Sequence, residues 1–163
     1  IMPTATPEAT ESPVVLSGFE TEILDAEPGR VRNLELCAAV LNGVKVEPGA
    51  EFSFNGTVGE RTSEKGYEKA KVLIEGKREY AVGGGVCQIS STLFNAAEAA
   101  GMEILERHDH TNDVHYIEIG RDAAVAFGAQ DFRFRNPLPD PVQITVSIGE
   151  GKVKTGIYKL GKA

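Results

Sequence analysis

The chain has 163 residues, 41% of them hydrophobic and 25% charged, which is typical of one globular domain and excludes a disordered or fibrous protein. Its formal net charge is −7 and it has no basic stripe, so we expect no nucleic-acid partner. No stretch is apolar enough over enough residues to span a bilayer, and no signal peptide is recognisable, so we expect no transmembrane segment in this sequence.

The first 13 residues differ in composition from the rest. They read IMPTATPEATESP, rich in Pro, Thr, Ala and Glu, and show no periodic apolar pattern. Such a segment is typical of a linker or a frayed terminus. We therefore place the folded domain at residues 14–163.

Apolar residues at helical spacing predict a helix over 31–41, closed by Asn42-Gly43. The stripe comprises Leu34, Cys37, Ala38 and Leu41. Residues 44–54 are predicted to be extended and to turn at Pro48-Gly49.

A β-hairpin and a second helix are predicted next. Segments 70–74 and 78–82 form the two strands, with Glu75-Gly76 at the turn. A helix follows over 87–100, and Gly101 stands where a glycine commonly ends a helix. Its apolar stripe is expected to pack on a sheet through Ile89, Leu93 and Ala97.

The second half of the domain has the period of two that strands show. The predicted strands are 114–119, 123–127, 131–135, 142–148 and 153–160, the last two joined as a hairpin through residues 149–151. Together the elements predict an α+β fold in which two main helices pack on a largely antiparallel, multi-stranded sheet.

The most specific stretch is Gly83-Gly84-Gly85-Val86-Cys87-Gln88. Three glycines permit a sharp turn into the helix and close backbone approach. A thiol in a first helical turn lies near unpaired backbone N–H groups and the positive end of the helix dipole, which favour the thiolate. The same N–H groups could bind an oxyanion. The alternative is a tight turn that carries a buried structural cysteine.

The other cysteine, Cys37, lies in an apolar run where a small buried residue is expected. Two cysteines make no disulfide framework, and the sequence leaves a bond between Cys37 and Cys87 open.

A base and a carboxylate for Cys87 are found downstream. All three histidines, His108, His110 and His115, fall within nine residues. We prefer His110 as the base, because His115 shares a predicted strand face with apolar residues. Asp122 is the candidate orienting group. The chain order Cys, His, Asp is also that of papain-like and transglutaminase-like enzymes, which is an analogy only.

These residues are predicted to converge in one cleft. The helix from Cys87 to Gly101 is about 20 Å long at roughly 1.5 Å per residue. Residues 102–107, extended at about 3.3 Å per residue, cover that distance in return. His110 then comes level with Cys87, and Asp122 joins them if the next strand runs back alongside.

Other chemistries have weaker signals. Cys87 with the three histidines could bind zinc, but the spacing matches no strong motif. A phosphate-binding loop lacks its lysine and Ser/Thr. We therefore expect no metal or other cofactor. A patch of Arg133, Arg135 and Asn136 beside two phenylalanines is either a ligand surface or the solvated face of a strand.

At these motifs the sequence resembles the VanW family, from about residue 30 to residue 141. The matching motifs are collinear: PGAEFSFN (48–55), GER (59–61), GY (66–67), GGGVCQISSTL (83–93), ERHDH (106–110), YI (116–117), GRDA (120–123) and DFRFRN (131–136). The family is named after an accessory protein found with vancomycin-resistance genes. The resemblance implies a bacterial cell-envelope domain displayed outside the membrane, often joined to peptidoglycan-related modules. On this match the family's polar motif positions are Cys87, Gln88, Arg107, His110 and Asp122.

Two functional hypotheses follow. The first is a thiol-dependent hydrolase or acyltransferase acting on cell-wall peptides, with Cys87 as nucleophile, His110 as base and Asp122 as orienting group. The second is a non-catalytic module that binds a glycan or a peptide stem. The expected partner in both is peptidoglycan or a cell-wall precursor peptide, and the expected location is extracellular. The predicted binding residues are Gly84, Gly85, Gln88, Arg107, Arg135 and Asn136.

Overall fold

The computed structural model describes residues 13–74, 77–110, 114, 116–118 and 120–161. The helices within them are α1 (Pro28–Leu41), α2 (Phe54–Val58) and α3 (Val86–Ala99), with a 3₁₀ turn at Ser63–Lys65. The strands are β1 (Val14–Glu22), β2 (Lys45–Val46), β3 (Glu51–Ser53), β4 (Lys69–Ile74), β5 (Lys77–Val82), β6 (Glu103–Glu106), β7 (Arg133–Arg135), β8 (Val142–Gly149) and β9 (Lys152–Lys159). All observed strand pairs are antiparallel, which confirms the predicted α+β class. None of the described helices has both the length and the apolar character that a membrane crossing needs.

The main sheet has the strand order β1-β9-β8-β2. Its centre is the predicted hairpin β8–β9, whose alternating residues bury Val142, Ile144 and Val146. Glu150 and Gly151 both have positive φ, as a tight two-residue hairpin turn requires. β1 adds to the β9 edge and was not predicted as a strand.

Helix α3 is the buried centre of the domain. Ile89, Leu93 and Ala97 are fully buried, and α3 packs on β1 and β9 and also on α1, so its predicted packing is confirmed. At about 25 cal/mol per Å² of apolar surface, each large side chain of this stripe contributes roughly 1.5–3 kcal/mol to folding. This packing fixes the helix start, and with it Cys87.

Two smaller sheets surround the helices. One has the order β3-β7-β6, and aromatic rings on and beside it form a cluster with one ring from α3. Its members are Phe52, Phe94, Phe132 and Phe134, with centroids 5.0–6.1 Å apart. The other is the predicted hairpin β4–β5. β6 follows α3 after a three-residue connection, and His110, four residues beyond β6, lines the same cavity as Cys87, as the convergence argument requires.

Three predicted strands are corrected. In segment 114–119 none of the described residues is in a strand: residue 116 lies in a turn, 117 in a bend, and 114 and 118 in neither. Segment 123–127 contributes only an isolated bridge between Ala126 and Gln130, and segment 131–135 pairs only at Arg133–Arg135. Segment 123–127 forms no strand because its backbone N–H groups hydrogen-bond to other partners. The N–H groups of residues 123 and 125 donate to side chains of α3, and that of residue 124 donates to the carbonyl of His108.

Candidate active site

The triple glycine lets the start of α3 lie directly against β4 and α1. A Cβ on Gly84 would stand 2.3 Å from the carbonyl oxygen of Ala70. Gly85 has φ +103°, and its Cβ would stand 2.9 Å from Cγ of Arg30. Only glycine permits these approaches and this backbone conformation.

A buried asparagine holds the loop in place. Asn33 Nδ2 donates to the carbonyls of Glu68 (2.8 Å) and Gly84 (3.0 Å), and its Oδ1 accepts from the backbone N–H of Glu68 at 2.8 Å. α1, the residue that precedes β4 and the glycine loop are thereby joined through one side chain. The loop geometry that places Cys87 is consequently part of the packed core.

Cys87 lies in the first turn of α3, half-buried. Its Sγ lies 3.4 Å from the carbonyl oxygen of Val125 and accepts from the N–H of Val125 at 3.5 Å. The neighbouring N–H groups of Val86 and Gln88 donate to the glycine loop, whereas that of Cys87 has no acceptor among the described residues. This N–H is therefore available to a ligand at the helix N-terminus.

His110 and Asp122 form the second part of the site. One carboxylate oxygen, Oδ2 of Asp122, accepts from the His110 backbone N–H at 2.7 Å and from Nδ1 at 2.5 Å. Burial alone would raise the pKa of Asp122, but these hydrogen bonds lower it below its usual value. Because Nδ1 is engaged, Nε2 is the ring nitrogen left to face Cys87.

The Cys87 thiol and the His110 imidazole both line the cavity and are electrostatically coupled. Burial works against a charge on either group, yet the interaction with the partner outweighs it. This interaction holds the pKa of Cys87 below that of an ordinary thiol and, with Asp122, raises the pKa of His110 to about 9. The arrangement therefore favours a thiolate–imidazolium pair, the reactive form of a cysteine nucleophile.

The segment that carries Asp122 is fastened to α3 and to Arg107. Arg107 donates to the carbonyls of Asp122 (2.8 Å) and Gly120 (2.7 Å) and stacks its guanidinium 4.8 Å from the ring centroid of Phe94. Ser91 accepts from the N–H of Ala123 at 2.8 Å. These contacts fix the position of Asp122 and hence the orientation of His110.

Cys87 and His110 both line a cavity of about 410 Å³, a size typical of small-ligand sites. Its apolar lining comprises Leu24, Val72, Ala81, Val114, Ala124, Val125 and Ala126. Its polar lining comprises Asp25, Arg30, Lys71, Gln88, Tyr116 and Gln130. The candidate nucleophile thus faces a largely apolar space with a few polar groups.

The structure brings together Cys87, His110 and Asp122, as the convergence argument predicts. Of the predicted binding residues, Gly85 and Gln88 also lie at this cavity, and Gly84 is the buried packing point of the loop. Gln88 is itself only 1% exposed.

The three other predicted binding residues do not line the cavity. Arg107 makes the contacts given above. Arg135 pairs with Glu103 at 2.6 Å on the surface. Asn136 is fully buried and donates to the carbonyls of Val46 and Asp140. A binding role for these three stays a prediction.

The zinc alternative receives no support from the residues that the structure describes, since no group of three or more His, Cys, Asp and Glu side chains there could hold a metal. His108 hydrogen-bonds Glu106 at 2.8 Å. His115, the remaining candidate ligand, lies outside the described residues. Both cysteines are free, and Cys37 is buried in the core.

The cavity residues that were not predicted from the sequence include Arg30 and Tyr116. Arg30 extends the buried stripe of α1 by one turn below Leu34, and a charged residue on an apolar helix face was the signal that could have revealed it. Tyr116 had been assigned to a strand face. Its hydroxyl lies 3.4 Å from Ser91 Oγ, and burial followed by the nearby Cys87 charge raises its pKa.

Comparison with known proteins gives the same family as the motifs. The VanW like protein family matches residues 29–158. The uncharacterized protein YoaR of Bacillus subtilis is 40% identical over 143 residues, 88% of this chain and 47% of its own. The vancomycin B-type resistance protein VanW of Enterococcus faecalis is 31% identical over 132 residues, 78% of this chain and 48% of its own. The chain thus spans about half the length of these relatives, and no solved structure matches it. The family match over residues 29–158 shows that the chain belongs to the VanW-like family.

Proposed function

We propose that this domain is a thiol-dependent enzyme that cleaves or transfers amide or ester bonds of cell-wall peptides. The observation that carries the proposal is that Cys87 and His110 line one cavity and are electrostatically coupled, while Asp122 holds the His110 ring by a hydrogen bond to Nδ1. A thiol at a helix start, a base in contact with it and a carboxylate on the far side of the base are the parts that cysteine nucleophiles use.

The acylation step uses each part in turn. The Cys87 thiolate attacks the substrate carbonyl carbon, so a C–S bond forms and the carbonyl electrons move to oxygen. In this proposal the N–H of Cys87, which has no acceptor among the described residues, donates to that oxyanion at the positive end of α3. As the intermediate collapses, imidazolium His110 donates its proton to the leaving nitrogen or oxygen, and a thioester remains.

The deacylation step reverses these roles. Neutral His110 removes a proton from water, or from an acceptor amine, as that nucleophile attacks the thioester carbonyl. The C–S bond then breaks and the thiolate–imidazolium pair is restored. Asp122 accepts from Nδ1 throughout, which keeps Nε2 directed at the reacting atoms.

The substrate class rests on the family setting. The relative from Enterococcus faecalis carries the name of a vancomycin resistance protein, and the motifs resemble a family of envelope domains. A cavity of about 410 Å³ accommodates one or two residues of a peptide, which suits the short stems of peptidoglycan better than a folded protein. We accordingly place the domain outside the membrane, acting on peptidoglycan or its precursor peptides.

The test is to incubate the purified domain with peptidoglycan fragments and follow the products by mass spectrometry. We expect Cys87→Ala and His110→Gln to abolish product formation, and Cys37→Ala, provided that it folds, to retain it. Hydroxylamine added to the wild type should release a hydroxamate from the thioester. Fragments that are bound but never altered would instead support the non-catalytic binding module.

A further inference from the structure

We propose that Arg30 binds a carboxylate of the substrate beside Cys87, so that the domain selects peptides with a carboxylate next to the bond that reacts. The role of this carboxylate as part of a substrate rests on the proposed function. The carboxylate site itself rests on the position and burial of Arg30 and does not depend on turnover.

Arg30 is buried without an anionic partner among the described residues. Its side chain is buried, with 9% of the residue exposed, and lies at the cavity. Its only hydrogen bond to the described residues runs from Nη2 to the neutral amide oxygen of Gln88, at 2.6 Å. Nε is buried with no partner. No carboxylate among the described residues lies within 4 Å of the guanidinium.

The other charges at the cavity are already paired. Asp25 lies 3.7 Å from Lys71, and Cys87 is paired with His110. Burial lowers the pKa of Arg30, and the charges of Tyr116, Asp25 and Cys87, which favour its charged form, offset this only in part. A buried guanidinium without a counter-ion is unfavourable, and an incoming carboxylate removes that cost.

The guanidinium of Arg30 lies beside the start of α3. Nη1 lies 2.9 Å from the point that a Cβ of Gly85 would occupy, so the side chain lies against the residue that caps α3. Nη1 has no acceptor among the described residues. An anion bound there also meets the positive end of the helix, two residues before Cys87. Gln88, fixed by its bonds to Thr21 and Glu22, holds the guanidinium in this position.

The chemistry fits a peptide carboxylate from one of two sources. It is either the terminal α-carboxylate, which makes the reacting bond the last of the chain, or the side chain of an acidic residue beside that bond. Arginine binds both with paired N–H donors. Inorganic anions share the charge but cannot place a carbonyl over Cys87.

The first experiment compares two alkylating reagents that differ only in this group. Iodoacetate and iodoacetamide each form a C–S bond with Cys87 and release iodide, but only iodoacetate carries a carboxylate. We expect the ratio of their rates at Cys87 to exceed that at the thiol of glutathione. Arg30→Gln should lower the ratio about tenfold, Arg30→Lys less, and the exposed neighbour Arg32→Gln not at all. The ratio cancels any effect of Arg30 on the thiolate itself, because that effect acts on both reagents.

The second experiment distinguishes the two sources. Protection of Cys87 from iodoacetamide is measured with N-acetyl-alanyl-alanine, its carboxamide, and N-acetyl-glutamyl-amide. Protection by the first alone assigns the terminal carboxylate, and protection by the third assigns an acidic side chain.

A ratio that Arg30→Gln leaves unchanged in a folded variant, or equal protection by the acid and its carboxamide, overturns the proposal. An Arg30-dependent ratio in a protein that alters no peptide would keep the carboxylate site and reject the enzyme. Peptide cleavage at the same rate with and without a neighbouring carboxylate would keep the enzyme and reject the carboxylate site.

Discussion

Asp122 binds His110 twice through one oxygen, since Oδ2 accepts both the backbone N–H and Nδ1 of that histidine. The carboxylate therefore sets the position of the His110 backbone and the orientation of its ring together. Because the backbone N–H and Nδ1 of His110 both bind Oδ2 of Asp122, the ring has little freedom to rotate away from Cys87.

The first prediction concerns the two thiols. Iodoacetamide should label Cys87 in the native protein well before Cys37. The pKa of Cys87 lies below its usual value, so labelling should persist as the pH falls below the range where ordinary thiols ionise. Burial raises the pKa of Cys37 to about 12, and that residue is fully buried. Peptide mass spectrometry measures both rates, with the unfolded protein as the control in which the two should converge. Equal native rates would contradict the assignment of Cys87 as nucleophile.

The second prediction concerns the titration of His110. Its pKa of about 9 depends on the Cys87 thiolate and on Asp122, against burial, which lowers it. Cys87→Ala removes the thiolate and Asp122→Asn removes the carboxylate, so each should lower the pKa of His110. In the wild type the ion pair forms as the pH rises through the pKa of Cys87 and is lost as it rises through about 9. NMR titration of the imidazole resonances measures this, with His110→Gln to assign the signal and Glu47→Gln, 60% exposed, as the control.

The third prediction concerns the glycine loop. Gly84→Ala places a methyl group 2.3 Å from a backbone oxygen of β4, which must move. We expect it to lower the free energy of unfolding by about 2–3 kcal/mol. Gly149→Ala, whose Cβ would meet nothing within 4 Å, is the control, with an expected change below about 0.5 kcal/mol. Urea denaturation measures both. A small effect at Gly84 would mean that the loop yields easily and does not hold Cys87 rigidly.

Sequence periodicity predicted the helices and strands whose buried residues recur at regular spacing. The stripe of α3 and the alternation of β8 and β9 are periodic and were found from their periods. The same reasoning was wrong for segment 123–127, because its backbone bonds to Ser91, Cys87 and His108 rather than to a strand. No short-range pattern contains such distant partners.

The candidate site divides in the same way. Cys87 was identifiable because the glycine run and the helix start are adjacent to it in the sequence. His110 and Asp122 were identifiable because the segments after α3 are long enough to bring them back to the start of that helix. Arg30 was not identified, because its importance depends on a cavity formed by segments far apart in the sequence. Arg107 was assigned a binding role from its motif, whereas its contacts in the structure are to the segment that carries Asp122.

The last prediction separates those two roles for Arg107. Its guanidinium donates to the carbonyls of Asp122 and Gly120 from different nitrogens, and the single ammonium of a lysine cannot reproduce this fork. Arg107→Lys should therefore lower the free energy of unfolding by about 1–2 kcal/mol. It should also slow the alkylation of Cys87 several-fold, because Asp122 and then His110 lose their fixed positions.

Arg135→Lys is the matched control. Arg135 forms an exposed ion pair with Glu103, so the change in unfolding free energy should stay below about 0.5 kcal/mol and the alkylation rate should not change. If Arg107→Lys instead leaves stability and alkylation intact but weakens protection of Cys87 by peptides, Arg107 binds substrate as its motif predicted. A loss of both stability and thiol reactivity, with peptide protection falling only in proportion to the folded, reactive fraction, assigns it as a positioning residue. The two roles thus differ in whether the thiol responds before any peptide is added.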